Sequence, residues 1–305
     1  MKAVRKPTGD PAASVQAVAD IVADYDVIVT PGFQFAGISQ LAVENPDKKF
    51  ILVDSEPAPV GDQTEFDNVY AMNFAEQESG FFAGVAAALE SKTKKVAVVN
   101  GIAYPSNVNY QFGFETGVNY ANKHLGTNVE IIELPGYSGT DVNGNDVGGN
   151  YVGTFSDPAT GKTLGNMLID QGVDIIFSAA GGSGSGVITA AKEAKGDIKI
   201  IGVDVDQYDE GQVGDKNVIL TSAVKVMDLN VKRQLEAIVN GTFKGGNVVL
   251  YADTDSTGYV KKEGRHQLSE DTLAKLEEVY QLVKEKKIVP ASNFNGHTPE
   301  NFPGL

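Results

Sequence analysis

A chain of 305 residues, 42% of them hydrophobic, is long enough for two domains, and its formal charge of −15 argues against a nucleic-acid partner, which needs a basic face. With no cysteine, it excludes thiol catalysis, disulfides and cysteine-ligated metals. No run approaches the length of a membrane span, and the three histidines, His124, His266 and His297, stand isolated in sequence.

Taken in order, Lys2 to Arg5 reads as a short strand. Asp10-Pro11 is an N-cap followed by proline at the first helical position, and Val15, Val18, Ile21 and Val22 continue as a helical stripe. Val27 to Thr30 is the next strand, with Pro31-Gly32-Phe33 as the loop at its carboxyl end. A helix carrying Ile38, Leu41 and Ala42 leads to strand Phe50 to Val53, which ends on Asp54. This β-α-β-α-β rhythm predicts a parallel sheet. Asn68 to Met72 is another strand. Phe74, Glu78, Phe81, Val85 and Leu89 follow at helical spacing, and Gly80 and Gly84 point to close packing on a neighbour.

A second run of β-α units starts at Lys95 to Val99, followed by a helix over Asn107 to Asn122 and a strand over Val129 to Leu134. Residues 136–155 break the rhythm and read as a long surface loop. Asp141, Asn143 and Asn145 resemble a calcium loop, but Asp146 stands where the sharp turn needs glycine and no glutamate fills the twelfth place, which favours a solvated turn. Asp157-Pro158 repeats the cap-and-proline signal, and that helix stops at Gly172.

The stretch from Asp174 to Asp206 carries the most information. Ile175, Ile176 and Phe177 read as a buried strand, followed by the glycine-rich run Gly181 to Gly186, a helix, and a strand over Ile198 to Val203 ending on Asp204. Ligands of open α/β sheets bind beyond the carboxyl ends of the strands, where glycines let the backbone approach a ligand. Gly182-Ser183-Gly184 starts a dinucleotide fingerprint, but Val187 takes the third glycine position. Asp204, 20 residues on, matches the ribose carboxylate of that fold, so an NAD-linked Rossmann enzyme stays open as an alternative. Ser183 and Ser185 do not sit in a nucleophile elbow. Asp204 and Asp206 are not read as an acid/base pair. Val218 to Ala223 is a strand ending beside Lys225, Val226 to Val239 a helix, Val248 to Ala252 a strand, and Ser269 caps the last helix.

Asp54, Asp204 and Lys225 therefore each follow an apolar strand, where a charge is partly desolvated and needs a partner. They read either as structural ion pairs or as a polar ring around a ligand with several hydroxyls. Phe155 is either a core residue or an aromatic face for a planar ring.

These residues together resemble the basic membrane protein family of solute-binding lipoproteins, typified by the purine nucleoside receptor of spirochaetes. The marks are VIVTPGF (Val27 to Phe33), KFILVDSE (Lys49 to Glu56), NFAEQESGFFAG (Asn73 to Gly84), TFSDPATGK (Thr154 to Lys162), IIFSAAGGSGSGV (Ile175 to Val187), IIGVDVDQ (Ile200 to Gln207) and LTSAVK (Leu220 to Lys225). The resemblance implies an α/β, two-lobe, type I periplasmic-binding-protein-like fold: parallel sheets flanked by helices, with a ligand cleft between the lobes. The expected lobes are residues 1–93 plus 226–251 and residues 94–225 plus 252–305.

The resemblance further implies a non-enzymatic receptor without cofactor or metal, which hands a purine nucleoside or related small molecule to an ABC permease at the cell membrane. Asp54 then bonds the base edge and Phe155 stacks on the base. The Gly181-Gly182 backbone, Asp204 and Lys225 hold the ribose, and Phe33 joins the candidate contacts. A sensor domain reporting ligand occupancy without transport is a further alternative. Family members open with an additional strand and an Asp-Asp-x-Ser-Phe-Asn-like segment that supplies a second stacking phenylalanine. This chain begins at what looks like the family's second strand, without signal or lipobox cysteine, and is read as a fragment or late start of a lipid-anchored, extracytoplasmic parent.

Overall fold

The computed structural model describes residues 10–305; the strand expected over Lys2 to Arg5 lies outside the described residues. In chain order the principal elements are α1 (Pro11–Ala19), β1 (Val27–Pro31), α2 (Ile38–Glu44), β2 (Lys49–Val53), β3 (Val69–Phe74), α3 (Glu76–Glu90), β4 (Lys95–Asn100), α4 (Pro105–His124) and β5 (Glu130–Ile131). A small hairpin of β6 (Gly139–Thr140) and β7 (Asp146–Gly148) precedes α5 (Pro158–Asp170), β8 (Ile175–Ala179), α6 (Gly184–Glu193) and β9 (Lys199–Asp204). A second hairpin, β10 (Gln212–Val213) with β11 (Lys216–Asn217), leads into β12 (Ile219–Lys225), α7 (Met227–Val239), β13 (Gly246–Leu250), β14 (Thr257–Tyr259) and α8 (Glu270–Lys284).

The chain forms two compact units. The first comprises the described residues up to Phe74 together with Met227–Leu250, and the second comprises Ala75–Val226 together with Tyr251–Leu305. The chain thus crosses between units after Phe74, whereas the sequence reading drew that boundary near Lys94. The reason is α3, which packs lengthwise on α4 of the second unit. A Cβ built on Gly80 or Gly84 would lie 2.5 Å from the Tyr110 carbonyl oxygen or 2.1 Å from that of Phe114. In the other direction, Gly113 and Gly117 meet the carbonyl oxygens of Gln77 and Phe81 at 2.2 Å each. Four glycines therefore put the two helix backbones in direct contact, and α3 belongs with its partner.

The first unit holds a sheet in the order β1-β2-β3-β13, all neighbours parallel. Phe50 and Leu52 face Val18, Ile38 and Ala71 on one side, and Ile51, Val53 and Met72 meet α7 through Met227, Val231 and Leu235 on the other. The near-continuous apolar run of β2 is what burial on both faces requires. β1 lies at one end of this sheet, paired with β2 among the described residues.

The second unit holds a sheet in the order β14-β12-β9-β8-β4-β5, parallel except for β14, which runs antiparallel to β12. One face is covered by α3, α4 and α8, with Phe81, Phe82, Phe114 and Phe177 fully buried; the other is covered by α5 and α6 through Leu164, Leu168, Val187 and Ile188. The caps read from sequence form as expected. Asp10 accepts from the Ala12 amide at 2.9 Å, and Ser269 from that of Thr272 at 3.2 Å. Asp157 accepts from the Thr160 amide at 3.0 Å and from its hydroxyl at 2.6 Å; these bonds hold its carboxyl below the usual range.

Two sequence readings change. Residues 136–155 contain the β6–β7 hairpin and a parallel bridge from Tyr151 to Asn100, so the loop is tied down at both ends. The expected strand over Val129 to Leu134 shortens to Glu130–Ile131, because the Leu134 amide donates to the Asn150 side chain at 2.8 Å. Among the described residues, Asp141 accepts from the Asn143 and Asn145 amides, closing its own turn, and no group of acidic or histidine side chains is placed to hold a metal ion.

Candidate functional site

In the second unit the candidate residues line up along the carboxyl edge of one parallel sheet. Lys225 ends β12, Asp204 ends β9, Gly181 and Gly182 follow β8, and Gly101 follows β4, four strands adjacent in that order. Three strand spacings of about 4.8 Å separate the first from the last. This is the edge at which open α/β sheets take their ligands.

Asp204 and Lys225 meet. The Lys225 Nζ lies 3.4 Å from Asp204 Oδ1 and 3.4 Å from Glu76 Oε1. The Tyr110 hydroxyl donates to the same Asp204 oxygen at 2.9 Å, and the Tyr110 ring lies under the ammonium at 5.4 Å. The side chain of Lys225 is 4% exposed, whereas that of Asp204 is 43% exposed. The lysine is therefore an interior charge with interior partners, and the aspartate opens to solvent. Its backbone is left-handed, with φ 64°, a conformation that turns the chain out of the strand and is costly for a residue other than glycine.

Phe155 is seated on glycines. A Cβ on Gly101 would lie 2.2 Å from Phe155 Cδ1, and one on Gly181 would lie 3.3 Å from the same atom. The Phe155 carbonyl accepts from the Ser183 amide at 3.1 Å. The Ser183 hydroxyl donates to the Thr154 carbonyl and accepts from the Asp157 amide, both at 2.9 Å. Ser183 is thus a fully buried staple between the glycine run and the 154–157 turn, not a nucleophile. Gly181, with φ 53°, and Gly182 are exposed, while Gly186 serves helix contact, its built Cβ falling 1.9 Å from the Pro158 carbonyl oxygen of α5. Tyr104, half-exposed, sets its ring 6.1 Å from that of Phe155 at 43°.

In the first unit, Asp54 ends β2 and its amide donates to the Met72 carbonyl at 2.7 Å. Its φ of 60° repeats that of Asp204. Phe33 follows β1 in a short turn and is 64% exposed. Gly32 before it has φ 94°, and its amide donates to Val53 at 2.7 Å, joining the ends of β1 and β2. Both residues thus lie at carboxyl ends of neighbouring strands.

The sequence reading missed Glu76, Asn109, Tyr110 and Tyr104. The first three sit on α3 and α4 and reach the sheet edge from the side. The first turn of α3 also holds Glu78, which accepts from the Ala252 amide at 2.7 Å and the Thr257 hydroxyl at 2.6 Å. Burial pushes its carboxyl up to about 7. Ser79 next to it donates to the Val224 carbonyl at 2.9 Å. One helical turn therefore fastens the segments on which the chain enters and leaves this unit.

The chain is similar to known proteins. A family profile described as ABC transporter substrate-binding protein PnrA-like matches residues 12–134 and 144–293. A CD4+ T-cell-stimulating antigen of Listeria monocytogenes is 31% identical over 272 residues, covering 85% of this chain and 68% of that protein. The ABC transporter nucleoside-binding protein BmpA of Lactococcus lactis is 29% identical over 239 residues, covering 74% of this chain and 61% of its own length. The chain thus spans about two thirds of the length of these relatives. Among solved structures, an ABC transporter solute-binding protein from Aeropyrum pernix superposes with a TM-score of 0.71 at 24% identity, over 95% of this chain and 84% of the other. That likeness shows the fold, which is periplasmic-binding-protein-like.

Proposed function

The chain belongs to the PnrA-like family of ABC transporter substrate-binding proteins, and we propose that its ligand is a purine nucleoside or a closely related small molecule, held for uptake by an ABC permease. The observation that carries this reading is the carboxyl edge of the second unit's sheet. There a half-exposed carboxylate, a buried ammonium and exposed glycine backbone follow adjacent strands, and the Phe155 ring, from the turn before α5, is seated against Gly101 and Gly181. A carboxylate accepts from adjacent hydroxyls and an ammonium donates to them, which suits a ribose beside Asp204 and Lys225. A flat heterocycle suits the face of Phe155. Asp54 and Phe33 are ligand contacts in the same reading. The name of the Lactococcus relative, a nucleoside-binding protein, supports it further.

The contacts of two candidate groups fit a binding role: Asp204 shares its Oδ1 with Tyr110 and Lys225, and the Ser183 hydroxyl is bonded to backbone. The protein acts in this reading by binding alone, on the extracytoplasmic side of the membrane. Calorimetric titration with guanosine, inosine and adenosine, beside free ribose and glucose, tests it. Saturable heat with at least one purine nucleoside is expected. Heat with a free sugar alone, or with none of the five, overturns it.

A further inference from the structure

We propose that Glu76, gripped by Asn109, is the positioning residue that keeps the Lys225 ammonium in place for ligand, while Tyr110 does the same for the Asp204 carboxylate; this rests on the ligand-binding role proposed above. The carboxylate of Glu76 is 8% exposed and its two oxygens are divided. Oε1 faces Lys225 Nζ at 3.4 Å, and Oε2 accepts from Asn109 Nδ2 at 3.1 Å. Asn109 is fixed at its other end, where Oδ1 accepts from the Asn293 amide at 2.9 Å. The chain of contacts runs from a backbone amide through Asn109 and Glu76 to Lys225 and ends on Asp204.

The charges explain the need for it. A buried ammonium needs negative charge close by, and the Asp204 carboxylate is half exposed. Glu76 supplies a second negative charge on the interior side. Lys225 is thereby held from the interior side, and all contacts described for Asp204 converge on Oδ1. A long, flexible lysine stem is thereby ordered before the ligand arrives, which lowers the ordering cost of binding.

The test combines calorimetry with NMR of the ammonium in protein labelled with 15N-lysine. Glu76→Gln is expected to weaken nucleoside binding by roughly tenfold, the scale of a lost charge-assisted hydrogen bond. It is expected to change affinity less than about twofold in a Lys225→Met background, because its effect passes through Lys225. The Lys225 ammonium cross-peak, protected from solvent exchange in the unliganded protein, disappears in Glu76→Gln. An unchanged affinity in Glu76→Gln, or an equal loss in both backgrounds, overturns the inference. If the wild-type protein takes up no nucleoside, the functional reading falls, and the NMR signal decides alone: persistence of the protected ammonium in Glu76→Gln overturns the positioning role. Should Glu76→Gln not fold, Asn109→Ala, which leaves the carboxylate but releases one oxygen, carries the same comparisons.

Discussion

Asp54 and Asp204 share one backbone twist: each closes its strand in the left-handed region, at φ 60° and 64°. An L-residue with a Cβ is strained there, and aspartate tolerates it better than most because its short side chain can bond locally. Two strand-ending aspartates, one in each unit, thus carry a backbone that glycine would adopt more easily. Strain of this kind is found where a side chain is needed at a position that suits no side chain.

Asp204→Gly and Asp204→Ala both delete the carboxylate, so their difference isolates the backbone. The glycine variant is expected to be more stable than the alanine variant by about 1 kcal/mol in denaturant unfolding. Both lose nucleoside affinity to a similar degree in calorimetry. An alanine variant as stable as the glycine variant contradicts the strain.

Gly101 has no room for a methyl group while Phe155 stays where it is, since the two would approach to 2.2 Å. The obstacle is a side chain and can swing away. Gly101→Ala is therefore expected to leave the fold intact and weaken ligand binding by roughly tenfold, about the value of one well-placed aromatic contact. In a Phe155→Ala background the same substitution costs nothing further. Equal losses in the two backgrounds refute the link between Gly101 and the ring.

Gly84 and Gly117 meet backbone carbonyls rather than side chains, at 2.1 and 2.2 Å, and backbone cannot rotate aside. Gly84→Ala or Gly117→Ala forces α3 off α4 and is expected to cost about 3 kcal/mol or more in unfolding free energy. Gly126→Ala, where the built Cβ meets nothing within 4 Å but φ is 71°, serves as a control that costs only about 1 kcal/mol. The opposite ranking excludes backbone contact as the basis of helix pairing.

Burial raises the Glu78 carboxyl to about 7 and that of Glu115 to about 8. Glu115 has its Oε1 fully enclosed without a hydrogen-bond partner among the described residues. A carboxyl whose folded value exceeds its unfolded value binds more protons when folded. Its stabilising contribution is complete below about 4.5 and is lost as pH rises through the folded value. For Glu78 the window is pH 4.5 to 7, and a shift of that size corresponds to roughly 3 kcal/mol. Denaturant unfolding at pH 5 and pH 8 is expected to show lower stability at pH 8. Glu78→Gln, which keeps an acceptor for the Ala252 amide and the Thr257 hydroxyl, reduces that difference and leaves the share of Glu115. A difference of equal size in the variant places its source elsewhere.

The strand ends were legible in the sequence because an apolar run followed by an acid, a lysine or a glycine cluster is a local pattern; Asp54, Asp204, Lys225 and Gly181 all stand where it put them. Gly80 and Gly84 were legible as contact glycines for the same reason, although their partner helix was not. Glu76 and Tyr110 were not legible, since their meaning depends on a helix being laid across the sheet edge: Tyr110 and Asp204 are 94 residues apart. Glu78 was half-visible as an acid within an otherwise apolar helical stripe, but its partners lie at 252 and 257. The boundary after Phe74 was lost because helix periodicity reports which face of α3 is buried and not which unit buries it. The short β6–β7 strands have too few residues to show alternation.

The seat beneath Phe155 has a consequence for how such a receptor diversifies. Its floor is made of residues that contribute no side chain, and the ring touches them edge and face without a polar bond of its own. If the proposed function holds, an exchange of one aromatic residue for another at position 155 changes the ring offered to a ligand without calling for a change at Gly101 or Gly181, so ligand preference can drift by single substitutions.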